Sequence, residues 1–80
     1  MADTLDILIG KCKKGRAESQ KELYGRFAPA MYGLCLQYAD NEEDAQDILQ
    51  DGFIKVFTKL EQVKNPAAFP GWIRRIMINT

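Results

Sequence analysis

Apolar residues recur along this chain at intervals of three and four, the repeat of an amphipathic helix, and no segment shows the alternation of a strand. The first helix is expected from about Asp3 to Lys14, with Leu5, Leu8, Ile9 and Cys12 on one face and Gly15 as its stop. A second runs from about Ala17 to Tyr38, where Leu23, Phe27, Met31, Leu34, Cys35 and Tyr38 keep helical spacing. Pro29 lies inside it and predicts a kink or local break, because proline has no N–H to donate and its ring crowds the preceding turn.

The third helix has the clearest start. Asn41 is a candidate N-cap, and Glu42, Glu43 and Asp44 put negative charge in the first turn, where the helix dipole favours it. Ala45, Ile48, Leu49, Phe53, Val56, Phe57 and Leu60 form its apolar face. Gly52 interrupts that helix at a cost of up to about 1 kcal/mol against alanine, either as a tolerated defect or as a place where another backbone comes close. Glu61 to Ala68 read as a loop, with Asn65-Pro66 as a turn or cap signal, and Phe69-Pro70-Gly71-Trp72 leads into a fourth helix carrying Trp72, Ile73, Ile76 and Met77. No cap or breaker closes that helix by Thr80, so it is expected to be still running there and the sequence reads as part of a longer protein. The expected fold class is all-α, a compact bundle of four helices joined by short loops.

Composition narrows the function. With 46% apolar and 28% charged residues, the 80-residue chain has the balance of a folded globular domain. It has no apolar run long enough to span a bilayer and no signal-like N-terminus, which points to a cytoplasmic protein without membrane insertion. There is no histidine and there are two cysteines, Cys12 and Cys35, both on apolar faces. That removes the commonest general base and leaves no Cys/His metal site, so neither a cofactor nor a metal is expected, and the thiols read as buried and inert.

Net charge is zero but unevenly distributed. Asp40, Glu42, Glu43, Asp44, Asp47 and Asp51 fall within residues 40–51 without a base among them, whereas residues 52–80 hold Lys55, Lys59, Lys64, Arg74 and Arg75 against Glu61 alone. Such a bipolar domain can meet a basic partner with one part and an anion with another, but should bind duplex DNA poorly by itself, since phosphate neutralisation supplies most of that affinity.

Two constellations carry candidate chemistry. Asp47, Gln50 and Asp51, at i, i+3 and i+4, share one helix face distinct from Leu49 and Phe53. By periodicity alone this ridge reads first as a solvated polar face. The stretch from Val63 to Thr80 combines aromatic rings, positive charge and polar side chains able to read a base edge, the components of single-strand binding sites; its candidates are Lys64, Asn65, Phe69, Arg74, Arg75 and Asn79. Phe69 and Trp72, three apart on an amphipathic helix, read equally as core anchors.

The order of these segments adds a resemblance that covers essentially the whole chain. Asp44-Ala45-Gln46-Asp47-Ile48-Leu49-Gln50-Asp51-Gly52-Phe53-Ile54-Lys55-Val56-Phe57 resembles region 2.2 of bacterial sigma factors, and Phe69 to Thr80 resembles the start of the family's last region 2 helix. Glu22 to Tyr32 is similar to its second helix, and the short N-terminus matches the extracytoplasmic-function type. The resemblance implies a non-enzymatic domain that binds the clamp helices of the largest subunit of core RNA polymerase through Asp47, Gln50 and Asp51. It also implies recognition and melting of the promoter minus-ten element, with a base flipped from the non-template single strand into a pocket formed by Asn79 and the loop from about Glu61 to Phe69. The amide of Asn79 offers donors and an acceptor to a base edge, and Trp72 is expected to anchor in the core while Asn79 faces the loop. Pro70 departs from the family pattern, and the loop carries no aromatic residue before Phe69. A C-terminal domain binding the minus-thirty-five element would lie beyond Thr80, and an anti-sigma factor is an optional further partner. The competing reading is a helical protein–protein interaction module without nucleic-acid binding.

Overall fold

Two of the helices start on a side-chain cap, and the first ends on a left-handed glycine. In the computed structural model, which describes residues 3–80, helix α1 spans Leu5–Lys13 and Thr4 caps it, its hydroxyl oxygen accepting from the Ile7 N–H at 3.5 Å. At the other end Gly15 adopts φ +80°, a left-handed conformation that only glycine enters freely. The Gly15 N–H then donates to the Cys12 carbonyl (3.0 Å) and the Arg16 N–H to that of Lys11 (3.3 Å), satisfying carbonyls the helix leaves open.

Helix α2, Ala17–Tyr38, is continuous through Pro29, so the expected local break does not occur. Pro29 and Gly25, four residues earlier, are both exposed. The carbonyl that loses its intrahelical donor lies on the solvent side, and Gly25 presents no side chain to the proline ring. Tyr38 was expected on the apolar face but is 61% exposed. The helix ends at this residue, and Ala39 takes the next position against the core.

Helix α3, Glu42–Thr58, starts at Asn41, whose side-chain oxygen accepts from the Asp44 N–H at 2.8 Å. It stops before Leu60, which is buried from the first of two 3-10 turns, Leu60–Gln62 and Pro66–Ala68. The segment read as a loop is therefore structured. Val63 is buried within it, and its carbonyl accepts from the Lys13 ammonium of α1 at 2.5 Å. Helix α4, Phe69–Ile78, has Pro70 in its first turn, where a missing N–H leaves no gap in the ladder. It does not run through Thr80. Asn79 occupies the C-cap, and the Thr80 hydroxyl donates to the Ile76 carbonyl at 2.6 Å.

The four helices enclose one core, with α2 touching each of the other three. Leu8, Ile9, Leu23, Val56, Phe69 and Ile73 are shielded from solvent almost completely. The aromatic ring of Phe69 meets Phe27 edge-on, with centroids 5.0 Å apart, and Trp72 at 5.7 Å. Cys12 and Cys35 are free and buried; burial pushes both thiols up from their ordinary range, and the Glu22 carboxylate pushes Cys12 further.

Gly52 has a specific reason to lack a side chain, though not an approaching backbone. A Cβ built there would lie 2.9 Å from the Met77 Cε and closer still to its Sδ, so the thioether of α4 fills the space an alanine methyl would need. Alanine would regain up to about 1 kcal/mol of helix propensity while displacing only the flexible end of Met77. Gly52→Ala is thus expected to melt close to the parent protein. Gly52→Val adds two further methyl carbons without that propensity gain and should lower stability by about 1–3 kcal/mol, read from thermal unfolding.

Candidate functional site

Helix α3 carries three surfaces along its length. Ala45, Leu49, Gly52, Phe53 and Val56 face the core, as the apolar periodicity requires. Asp47, Gln50 and Asp51 are exposed and form one ridge, while Leu49 and Phe53 behind them are 7% and 4% exposed. That arrangement is the one expected from the sequence. Phe53 is held in turn by Tyr24 of α2, ring centroids 4.6 Å apart. Beside the ridge, Gln46 and Gln50 form one wall of a cleft of about 310 Å³ whose other wall is Tyr24, Pro29 and Tyr32 of α2.

The third surface meets α4. Lys55 and Lys59 of α3 and Trp72, Arg75, Ile76 and Asn79 line a second cleft of about 280 Å³. Among the described residues the ion pairs are Lys11–Asp3 and Arg26–Glu22, and Lys55, Lys59 and Arg75 are in neither. The cleft therefore has a positive wall, a half-buried indole and an exposed amide at its rim. Its chemistry suits a phosphodiester with an unpaired base, offering charge to the first and stacking and hydrogen bonds to the second.

The structure divides the candidate nucleic-acid residues. Arg75 and Asn79 come together in this cleft. Asn79 and Trp72 were expected to face different ways, but seven residues are close to two full turns, which puts them on one side of α4. Arg74 is exposed but does not line the cleft, and neither do Lys64 and Asn65 of the loop. Asn65 has a local task, since its side-chain oxygen accepts from the Ala67 N–H at 3.1 Å and caps the second 3-10 turn. Phe69 must be removed from the set of base-contacting residues. It is fully buried against Phe27 and Trp72, and its ring has no face free for a base.

Sequence reasoning missed Lys55 and Lys59, which were counted only toward the charge of the C-terminal half. Their spacing of four does place them on one face of α3. That the face opposes Arg75 and Asn79 depends on how α4 crosses α3, for which the sequence holds no direct sign.

Residues 23–80 match the family model for Sigma-70 region 2, which takes in most of α2 together with all of α3, both 3-10 turns and α4. The chain belongs to this family as a region 2 domain of a sigma factor of the extracytoplasmic-function type. It is similar to the ECF RNA polymerase sigma-E factor of Haemophilus influenzae, at 29% identity with all of this chain and 43% of the relative covered. The ECF RNA polymerase sigma factor SigE of Mycolicibacterium smegmatis is 36% identical over 76% of this chain and 23% of its own length. The RNA polymerase sigma-H factor of Pseudomonas aeruginosa is 29% identical over 91% of this chain and 38% of its own length. The chain thus spans less than half of each of these relatives. No solved structure matches it.

If Phe69 is a core residue alone, Phe69→Leu should fold with a loss of about 1.5 kcal/mol or less and bind single-stranded DNA as the parent does, whereas Phe69→Ala should lose about 3–5 kcal/mol. Thermal melts and fluorescence anisotropy on the same variants read both effects. A Phe69→Leu protein that melts normally but loses DNA binding would return the ring to the binding surface.

Proposed function

We infer that this domain docks on RNA polymerase through α3 and captures an unpaired promoter strand between α3 and α4. The acidic ridge of Asp47, Gln50 and Asp51 faces the clamp helices of the largest subunit, a basic coiled coil. The cleft of Lys55, Lys59, Trp72, Arg75 and Asn79 holds the non-template strand of the minus-ten element, with Asn79 reading one flipped base. Melting needs no bond chemistry, because binding the separated strand in preference to the duplex shifts the equilibrium toward the open state. Extruding the base costs a few kcal/mol, which stacking and hydrogen bonds in the cleft offset. Arg74, Lys64 and Asn65 lie outside the cleft and would meet the strand only as it leaves. In the full-length protein, a C-terminal domain reading the minus-thirty-five element completes promoter recognition in the cytoplasm.

The observation that carries this reading is the side-by-side placement of an acidic strip on α3 and a basic cleft between α3 and α4 that holds an indole and an amide. A protein–protein module without a nucleic-acid role would require the strip but gives no reason for the cleft.

Two sets of variants test the two surfaces separately. Asp51→Arg reverses an exposed charge in the ridge and sets it against a basic partner, so it should weaken core polymerase binding by about thirtyfold or more, a loss of about 2 kcal/mol, while leaving the melt of the domain nearly unchanged. Undiminished affinity would exclude the ridge as the docking surface.

For the cleft, the domain should prefer single-stranded minus-ten DNA over the matched duplex in fluorescence anisotropy. Lys55→Ala and Lys59→Ala should each lower the salt dependence of that binding by about 0.7 in the log–log slope, as one lost phosphate contact requires. Asn79→Ala should leave polymerase binding intact and flatten the preference among bases at one position by about 1–3 kcal/mol. Normal promoter opening by Asn79→Ala with unchanged base preference would remove Asn79 as the reader.

A further inference from the structure

We propose that Ile54 is the apolar anchor of the polymerase-facing surface, inserting between basic side chains of the partner coiled coil. The proposal rests on the reading of α3 as the docking helix. Ile54 is 65% exposed, the most exposed of the large apolar residues described. At 100° per residue it falls on the midline of the ridge, one turn beyond Gln50 and Asp51 and two turns beyond Asp47. A β-branched apolar side chain is a poor choice for an open helix position, since it gains nothing from burial and has weak helix propensity. It also has no partner within the domain; the buried core and the residues packed on it do not include Ile54.

Charge complementarity names the occupant. Asp51 and Asp47 lie one and two turns before Ile54 on this face, neither in an ion pair, and Glu43 and Asp44 extend the same sign toward the helix N-terminus. A partner that satisfies these must present Lys or Arg, whose aliphatic stems supply an apolar wall while their heads reach the carboxylates. A basic coiled coil offers such stems in rows along its outer faces. Ile54 then becomes buried at the centre of the contact while the charged groups form its rim, the division usual in interfaces where few residues dominate affinity.

The two kinds of contact leave different kinetic traces. Charged groups at a rim govern the association rate and its salt dependence, whereas a desolvated apolar anchor governs the dissociation rate. Binding of this chain to core polymerase should therefore be measured for Ile54→Ala and Asp51→Arg across a salt series, with a thermal melt of each variant. Ile54→Ala is expected to dissociate about tenfold faster or more, with the salt dependence of the parent and an unchanged melt. Ile54→Val, which keeps most of the side chain, should lie between the two. If Ile54→Ala dissociates at the parent rate while Asp51→Arg is weakened, the anchor is refuted and the docking reading stands. Parent-like binding by both variants would overturn the docking reading and the anchor with it. Self-association of the chain that is lost in Ile54→Ala, with polymerase binding unchanged, would assign the face to a second copy and overturn the proposal.

Discussion

Helix α4 packs its Met77 against α3 in the space left by the missing side chain of Gly52. The Met77 thioether occupies that space, and Ile73 and Phe69, four and eight residues earlier on the same face of α4, enter the core with it. A β-carbon here would make the flexible end of Met77 shift, while Phe69 and Ile73 keep α4 anchored in the core. Once α4 is seated, Trp72, Arg75, Ile76 and Asn79 have only one place to go. They overhang the C-terminal turns of α3, where Lys55 and Lys59 project one and two turns beyond Gly52. The glycine that looks like a defect within its own helix is thus a packing site for α4, next to the basic cleft.

Charge along α3 serves the helix and the surface at once. Glu42, Glu43 and Asp44 in the first turn and Lys55 in the last complement the helix dipole, each worth about 0.3–1 kcal/mol at an exposed position. The same segregation leaves one end of the helix acidic and the other basic. A chain of zero net charge thus presents strong fields of both signs within one element, without long-range attraction for duplex DNA. Placing both surfaces on one helix also couples them rigidly, so that docking through the ridge would orient the cleft. The cost falls on stability. Lys55, Lys59 and Arg75 line one cleft and repel one another, but all three are exposed and water screens the repulsion, so that cost is small.

The helices were legible because their signals are local. Asn41 caps, Gly15 reverses the chain, and the spacing of Leu23, Met31 and Leu34 marks a buried stripe that no distant contact is needed to explain. Departures arise where a neighbour decides the outcome. Pro29 does not break α2, because its surroundings are open. Tyr38 misses the core, because the helix ends there and Ala39 takes the position. The loop from Glu61 to Ala68 is ordered by Val63 and by Lys13, fifty residues away in sequence. Phe69 fitted an aromatic base platform as well as it fitted a core anchor, since the sequence records the ring and its spacing but not what covers it.

Periodicity and capping chemistry determined that this protein is a small helical bundle, which face of each helix is apolar, and that Asp47, Gln50 and Asp51 share one exposed ridge. All of these depend on residues within a few positions of one another, where the 3.6-residue repeat converts order in the chain into position on a face. Tertiary structure alone decided that Lys55 and Lys59 oppose Arg75 and Asn79 and that Phe69 is sealed inside. Each of these depends on how two helices separated in the chain approach and cross, and that is settled by packing volume at sites such as Gly52 and Met77, which no local repeat encodes.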